Sequence, residues 1–305
     1  MLKILKTFVN IYIASTILFD INLSNSFKFP LNSISKSTLV DKLSHVSLKG
    51  QCLIDKHENY ETCDIITEDI IEKINLKNKK LINISPAGLQ GFYLLGIISY
   101  IKENYDTSDY IFSGASAGGF NALFATYKYD PMDIINLLDM EHILLKGHSI
   151  SDLQKSIKNV LLDNFSTLDF DLDKLFIGVT AIKNFQARTN IYYHFIDLED
   201  AIDACIASSN IPFITGSFFH IYNNAYSFDG GFRKYPFLHL VEPVLHITAD
   251  MWKPENNKKK SSMFNVVSDF KTFFAKENYN FIDLYKKGYN DTSINKKLID
   301  NIFIM

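Results

Sequence analysis

Arginine is nearly absent from this chain: of 31 basic residues only Arg188 and Arg233 are arginines, and the rest are lysines. Nucleic acid is read mainly by clustered arginine, so this balance argues against a nucleic-acid partner. Cysteine is scarce as well. Cys52, Cys63 and Cys205 include no CxxC pair, which leaves no metal-binding spacing and no cofactor to expect. Cys52 and Cys63 are either a disulfide closing a short loop in an exported protein or unrelated thiols. Beyond the N-terminal segment no apolar run approaches the roughly 20 residues that span a bilayer, so the remainder is expected to be soluble. What is present in quantity is core. Of 305 residues 47% are hydrophobic, the formal charge is only −3, and the chain is long enough for one large domain or two small ones.

The N-terminus places Lys3 and Lys6 before an apolar run over 8–19 and a small polar cluster, Ser24, Asn25 and Ser26. This is the order of a secretory signal peptide or membrane anchor over 1–26. It favours a secretory or membrane-associated location, with a frayed amphipathic helix in a cytoplasmic protein as the alternative. Residues 27–80 form an N-terminal extension with short β-type runs, a helix over 68–76, and a lysine-rich end at Lys77, Lys79 and Lys80.

From 81 the pattern changes. Strands at 81–84, 110–112, 175–182, 191–196, 225–228 and 244–248 alternate with helices at about 94–101, 117–127, 132–143, 151–162 and 198–208, the last stopped by Pro212. Such alternation predicts an α/β fold over 81–250 with a mainly parallel sheet. The lysine-bearing stretch 254–262 reads as a solvated loop, and helices over 251–305 are expected to pack back on the domain.

Three short segments carry chemistry. Gly114, Ala115, Ser116, Ala117 and Gly118 spell GxSxG between a strand and a helix, the setting of a nucleophile elbow. Small neighbours leave room for a sharp turn, and the following helix N-terminus offers partial positive charge where an oxyanion develops. A serine hydroxyl needs a base. Asp229, ending a strand and followed by Gly230 and Gly231, is the candidate, although Asp-Gly-Gly alone is more often an ordinary turn. The loop Ser85, Pro86, Ala87, Gly88, Leu89, Gln90, Gly91 lies between a strand and a helix, where successive N–H groups can point at an anion.

In chain order, glycine loop then GxSxG then Asp-Gly-Gly, the three segments resemble the patatin-like phospholipase family. The likeness extends through Gly91, Phe92 and Tyr93, which look like the adiponutrin-type branch, and through Ala207 to Phe213, with a C-terminal helix over 283–291 as a further similarity. The resemblance implies a three-layer α/β/α sandwich with a central mainly parallel sheet. It implies lipid acyl-ester hydrolysis by a serine–aspartate dyad, with Ser116 as nucleophile and Asp229 as base, and phospholipid or acylglycerol substrate at a membrane surface. Where the family has glycines at the start of its loop, this chain has Pro86 and Ala87, and Gln90 replaces a frequent basic residue. Proline has no N–H, so the oxyanion donors implied are Ala87 and Gly88. If the first position were needed, losing it could cost about 10²- to 10³-fold.

Two other functions compete. In an α/β-hydrolase, Ser116 and an acid would work with His239 or His246, which follow Asp229 in the required order. Alternatively, the fold is kept as a lipid-binding scaffold with an impaired loop, for which Pro86 is the support. Head group, acyl position and oligomeric state leave no trace in the sequence.

Overall fold

In the computed structural model the residues described are 51–54, 64–65, 76, 78–138, 150–183, 186–212, 214–216, 220–233, 235–239, 241–253 and 280–304. The expected leader, the helix at 68–75, Cys63 and the side chain of Cys52, and the lysine-rich loop at 254–262 lie outside them.

The strands are β1 (Gln51–Ile54), β2 (Asp64–Ile65), β3 (Lys80–Ile84), β4 (Tyr110–Gly114), β5 (Leu175–Lys183), β6 (Gln186–Tyr193), β7 (Ile221–Tyr222), β8 (Ala225–Phe228) and β9 (Pro243–Ile247). The described helices are α1 (Gly91–Asn104), α2 (Ala117–Ala125), α3 (Pro131–Leu138), α4 (Ile150–Asn164), α5 (Leu198–Ser208), α6 (Phe281–Ile294) and α7 (Lys296–Phe303). Together they make the expected α/β fold, a central mainly parallel sheet flanked by helices. The sheet runs β2-β1-β6-β5-β4-β3-β9, with the hairpin β7–β8 joined antiparallel to β5 through β8. Strands β5, β4, β3 and β9 are paired parallel in succession, with β9 at the edge.

Side-chain alternation along these strands sorts the core into two faces. Ile82, Ile84, Phe112, Leu175 and Ile177 join one cluster with the described helices. Their immediate neighbours Leu81, Ile111 and Phe176 join a smaller cluster with Leu76 and Leu238. Central strands buried on both faces read as continuous apolar runs, which is why β3 and β4 were legible from sequence.

Three features differ from expectation. Strand β6 begins five residues before 191, at a polar stretch of which Ala187 to Asn190 are half-buried, and it stops at Tyr193, where His194 adopts φ 51°, a turn conformation. Strands β1 and β2, within the expected N-terminal extension, belong to the same sheet: β1 pairs antiparallel with β6. Helix α1, expected to bury one apolar face, is buried from Tyr93 through Ile101 on every side.

The reason for that burial is α6. A Cβ on Gly96 would stand 2.0 Å from the carbonyl oxygen of Tyr285, and one on Gly288 would stand 2.0 Å from that of Tyr93, so the two backbones touch where each offers a glycine. Tyr93 Oη donates to Asp291 Oδ2 at 2.7 Å across the same contact. Gly96→Val is therefore expected to destabilise the protein by about 3 kcal/mol, since no flexible side chain can give way. Denaturant unfolding of the variant checks this, and an unchanged midpoint would place the helices further apart than described.

Candidate active site

Strand β4 is buried at every residue and delivers the chain into the turn at Ala115 and Ser116. Ser116 has φ 56° and ψ −131°, a conformation L-residues avoid and one that costs of order 1–3 kcal/mol. The surroundings hold it there. Cβ atoms on Gly114 or Gly118 would stand 2.1 Å from Gly118 O and 2.2 Å from Ile84 O, so only glycine lets the turn close between β4, β3 and α2. The Ser116 amide donates to Ser208 Oγ at 2.8 Å, and Ser208 Oγ donates to Gly178 O at 2.6 Å. The end of α5 thereby anchors the turn to β5.

Asp229 follows β8 directly. Its own amide donates to Asn210 O at 2.8 Å, and Asn210 Nδ2 donates back to Ser227 O at 2.9 Å, which clamps the strand end beside α5. A Cβ on Gly230 would stand 2.6 Å from Ala115 Cβ and 2.4 Å from Gly178 O, so this glycine permits the aspartate turn to seat on the serine turn. The result joins side chains 113 positions apart: Ser116 Oγ donates to Asp229 Oδ2 at 2.6 Å, and both residues are 5% exposed. The other carboxylate oxygen, Oδ1, accepts from Gly231 N at 2.7 Å. Burial pushes the Asp229 carboxyl up to about 6, against the opposing hydrogen bonds from Ser116 and Gly231. A carboxylate so placed is held near neutrality, where a general base works best.

The loop after β3 comes to the same place. Gly88 has φ 53°, the left-handed conformation glycine alone adopts cheaply, and Gly88–Gln90 form a short 3-10 turn leading into α1. Pro86 lies against Gly231, where a Cβ would meet its ring carbons at 3.1 and 3.2 Å. Gly91 lies against Ala117 at the start of α2. Ser116, Gly88, Leu89 and Gly91 line one pocket, open to solvent, whose other walls are largely apolar: Phe92 and Leu95 of α1, Phe120 and Phe124 of α2, Leu138 of α3, Leu153 and Ile157 of α4.

Neither histidine considered from the sequence stands between serine and aspartate. His246 Nε2 is within 2.8 Å of Ser85 Oγ, and His239 Nε2 within 3.2 Å of Tyr235 O. Ser208 and Asn210 were not read as site residues from sequence. The available signal was the polar run Ser208, Ser209, Asn210 closing an apolar helix just before Pro212.

A strained serine between a parallel strand and a helix, bonded to a buried carboxylate beside an apolar pocket, is an arrangement in which a hydroxyl can be activated as a nucleophile. Residues 87–241, half the chain, match the family model of patatin-like phospholipases, and the protein belongs to that family of lipid acyl hydrolases. No curated protein matches the chain.

Proposed function

We propose that the protein hydrolyses carboxylic esters of lipids, as a phospholipase A or acylglycerol lipase, through Ser116 and Asp229 alone. The observation that carries this reading is the 2.6 Å hydrogen bond from Ser116 Oγ to Asp229 Oδ2 at the edge of an apolar pocket. Ser116 Oγ attacks the ester carbonyl while its proton passes to Asp229. The tetrahedral oxyanion is held by the amides of Ala87 and Gly88, aided by the N-terminus of α2. Collapse expels the alcohol, which takes the proton from Asp229 and leaves an acyl group on Ser116. Water, deprotonated by the same carboxylate, attacks the acyl carbonyl; the bond to Ser116 Oγ breaks, Oγ takes the proton back from Asp229, and the fatty acid is released. Pro86, Leu89, Gln90 and Gly91 shape the donor loop, and Gly114, Gly118 and Gly230 give the turns their closeness.

Within the family we assign the chain to the adiponutrin-type branch and take 81–250 as its catalytic unit, acting on phospholipid or acylglycerol at a membrane surface. The chemistry of the pocket supports an acyl chain as occupant: its lining is largely apolar side chains of α1, α2, α3 and α4, with Ser116 among them.

The test is purified protein on a mixed panel of phospholipids and acylglycerols, with released fatty acid measured by mass. Leu95→Trp, which adds bulk to the pocket wall on α1, is expected to lower kcat/KM for oleoyl esters by about 10-fold or more while sparing acetyl esters. Equal losses on both would mean that the acyl chain lies elsewhere.

A further inference from the structure

The donor loop is tied down at its first residue from outside the site. Strand β9 is the parallel neighbour of β3, with Asn83 opposite His246 and Ile84 opposite Ile247. One residue past β3, Ser85 makes two bonds to this neighbour: its amide donates to Ile247 O at 3.0 Å, and its hydroxyl lies 2.8 Å from His246 Nε2. His246 is exposed on β9, and its imidazole meets the ring of Phe237 edge-on with centroids 5.0 Å apart, so one ring contact and the Ser85 hydroxyl orient it. Next in the chain comes Pro86, whose ring lies against Gly231, and the Gly231 amide holds Asp229 Oδ1 at 2.7 Å. His246, Ser85, Pro86, Gly231 and Asp229 are thus a continuous series of contacts.

Proline gives this series its stiffness. Its φ is fixed and it has no amide hydrogen with which to tie itself to the sheet. The placement of Ala87 and Gly88 therefore depends on how Ser85, immediately before Pro86, is held. A hydroxyl free to rotate on its own would fix the loop poorly, whereas one bonded to an imidazole that is itself packed on Phe237 has a defined direction.

We propose that His246 is a positioning residue for the hydrolysis: through Ser85 it sets Pro86 against Gly231 and so aligns the amides of Ala87 and Gly88 with Ser116, without touching substrate. This rests on the Ser116–Asp229 reading of the site. It differs from a triad role, in which a histidine would exchange a proton with Ser116.

Four variants decide it, assayed on a p-nitrophenyl ester with melting temperatures measured alongside. Ser85→Ala and His246→Leu are each expected to lower kcat by about 10-fold with KM within about twofold, because a small misalignment of oxyanion donors is felt mainly in the transition state. The double variant is expected to be no slower than either single one, since both remove the same bond. His246→Gln, whose amide reaches the Ser85 hydroxyl, is expected to restore more than half of the wild-type kcat. The proposal fails if His246→Leu turns over at the wild-type rate, if the loss appears only in KM or melting temperature, if Gln is no better than Leu, or if the two single losses multiply. It fails also if His246→Leu is as inactive as Ser116→Ala, which would make the histidine a catalytic base. Should His246→Leu not fold, the kcat of Ser85→Ala and the rescue in His246→Gln still decide. Ser116→Ala in the same series separates the two readings: persistent turnover there overturns the dyad itself, whatever the histidine variants do.

Discussion

Replacing Ser116 by alanine is expected to reduce release of fatty acid by about 10⁴-fold or more and to abolish labelling by a fluorophosphonate, with the fold intact. The size of the effect follows from covalent chemistry: among the described residues no other hydroxyl is bonded to Asp229, whose two oxygens accept from Ser116 Oγ and Gly231 N. The fold survives because the bond that anchors the turn uses the Ser116 amide, donated to Ser208 Oγ, and not the hydroxyl. Substantial turnover by a correctly folded Ser116→Ala protein would place the nucleophile elsewhere.

Asp229→Asn gives the second large effect, and it acts on rate and stability in opposite directions. The amide can still accept from Gly231 N through Oδ1 but cannot take a proton from Ser116, so kcat is expected to fall by about 10³- to 10⁴-fold. The wild-type enzyme should show the corresponding acid limb. With the Asp229 carboxyl at about 6, the basic form is scarce at pH 5 and dominant at pH 7, and kcat/KM is expected to rise about tenfold between them. A profile flat across that range would exclude Asp229 as the base.

For stability the sign runs the other way. Asp229 binds its proton more tightly folded than unfolded, because burial raises its carboxyl from 3.8 to about 6. The folded state therefore has its full advantage below about pH 4 and loses it as pH rises through 6. At pH 7 the buried charge costs on the order of 1–3 kcal/mol, and Asp229→Asn, which carries none, is expected to be more stable than wild type by up to that amount. Denaturant unfolding at pH 4 and pH 7 measures the difference, which should appear at pH 7 and shrink at pH 4. Strain at Ser116 and buried charge at Asp229 both oppose folding, and both are features a nucleophile and its base require.

The chemistry-bearing segments were legible because each is local. A GxSxG between a buried strand and an apolar helix needs only covalent neighbours to be recognised, and Gly230 announces a close approach even when its partner is unknown. The same holds for β3, β4, β8 and α5, whose apolar runs or periods are set by burial of the element itself. What covers each element was not legible. Helix α1 shows a one-sided apolar pattern, yet its other side is closed by α6 across Gly96 and Gly288, nearly two hundred residues apart. Strand β6 hid behind a polar start, and His246 showed nothing of Ser85, 161 positions away.

By itself the sequence determined where a GxSxG turn, a glycine loop and an Asp-Gly-Gly turn would stand among strands and helices, because small residues and hydrophobic period are properties of contiguous chain. Only the tertiary structure decided that Ser116 and Asp229 share a hydrogen bond, that Ser208 and Asn210 hold them there, and that Pro86 rests on Gly231. Those are pairings between distant segments, and a pattern that records how deeply a residue is buried does not record against what.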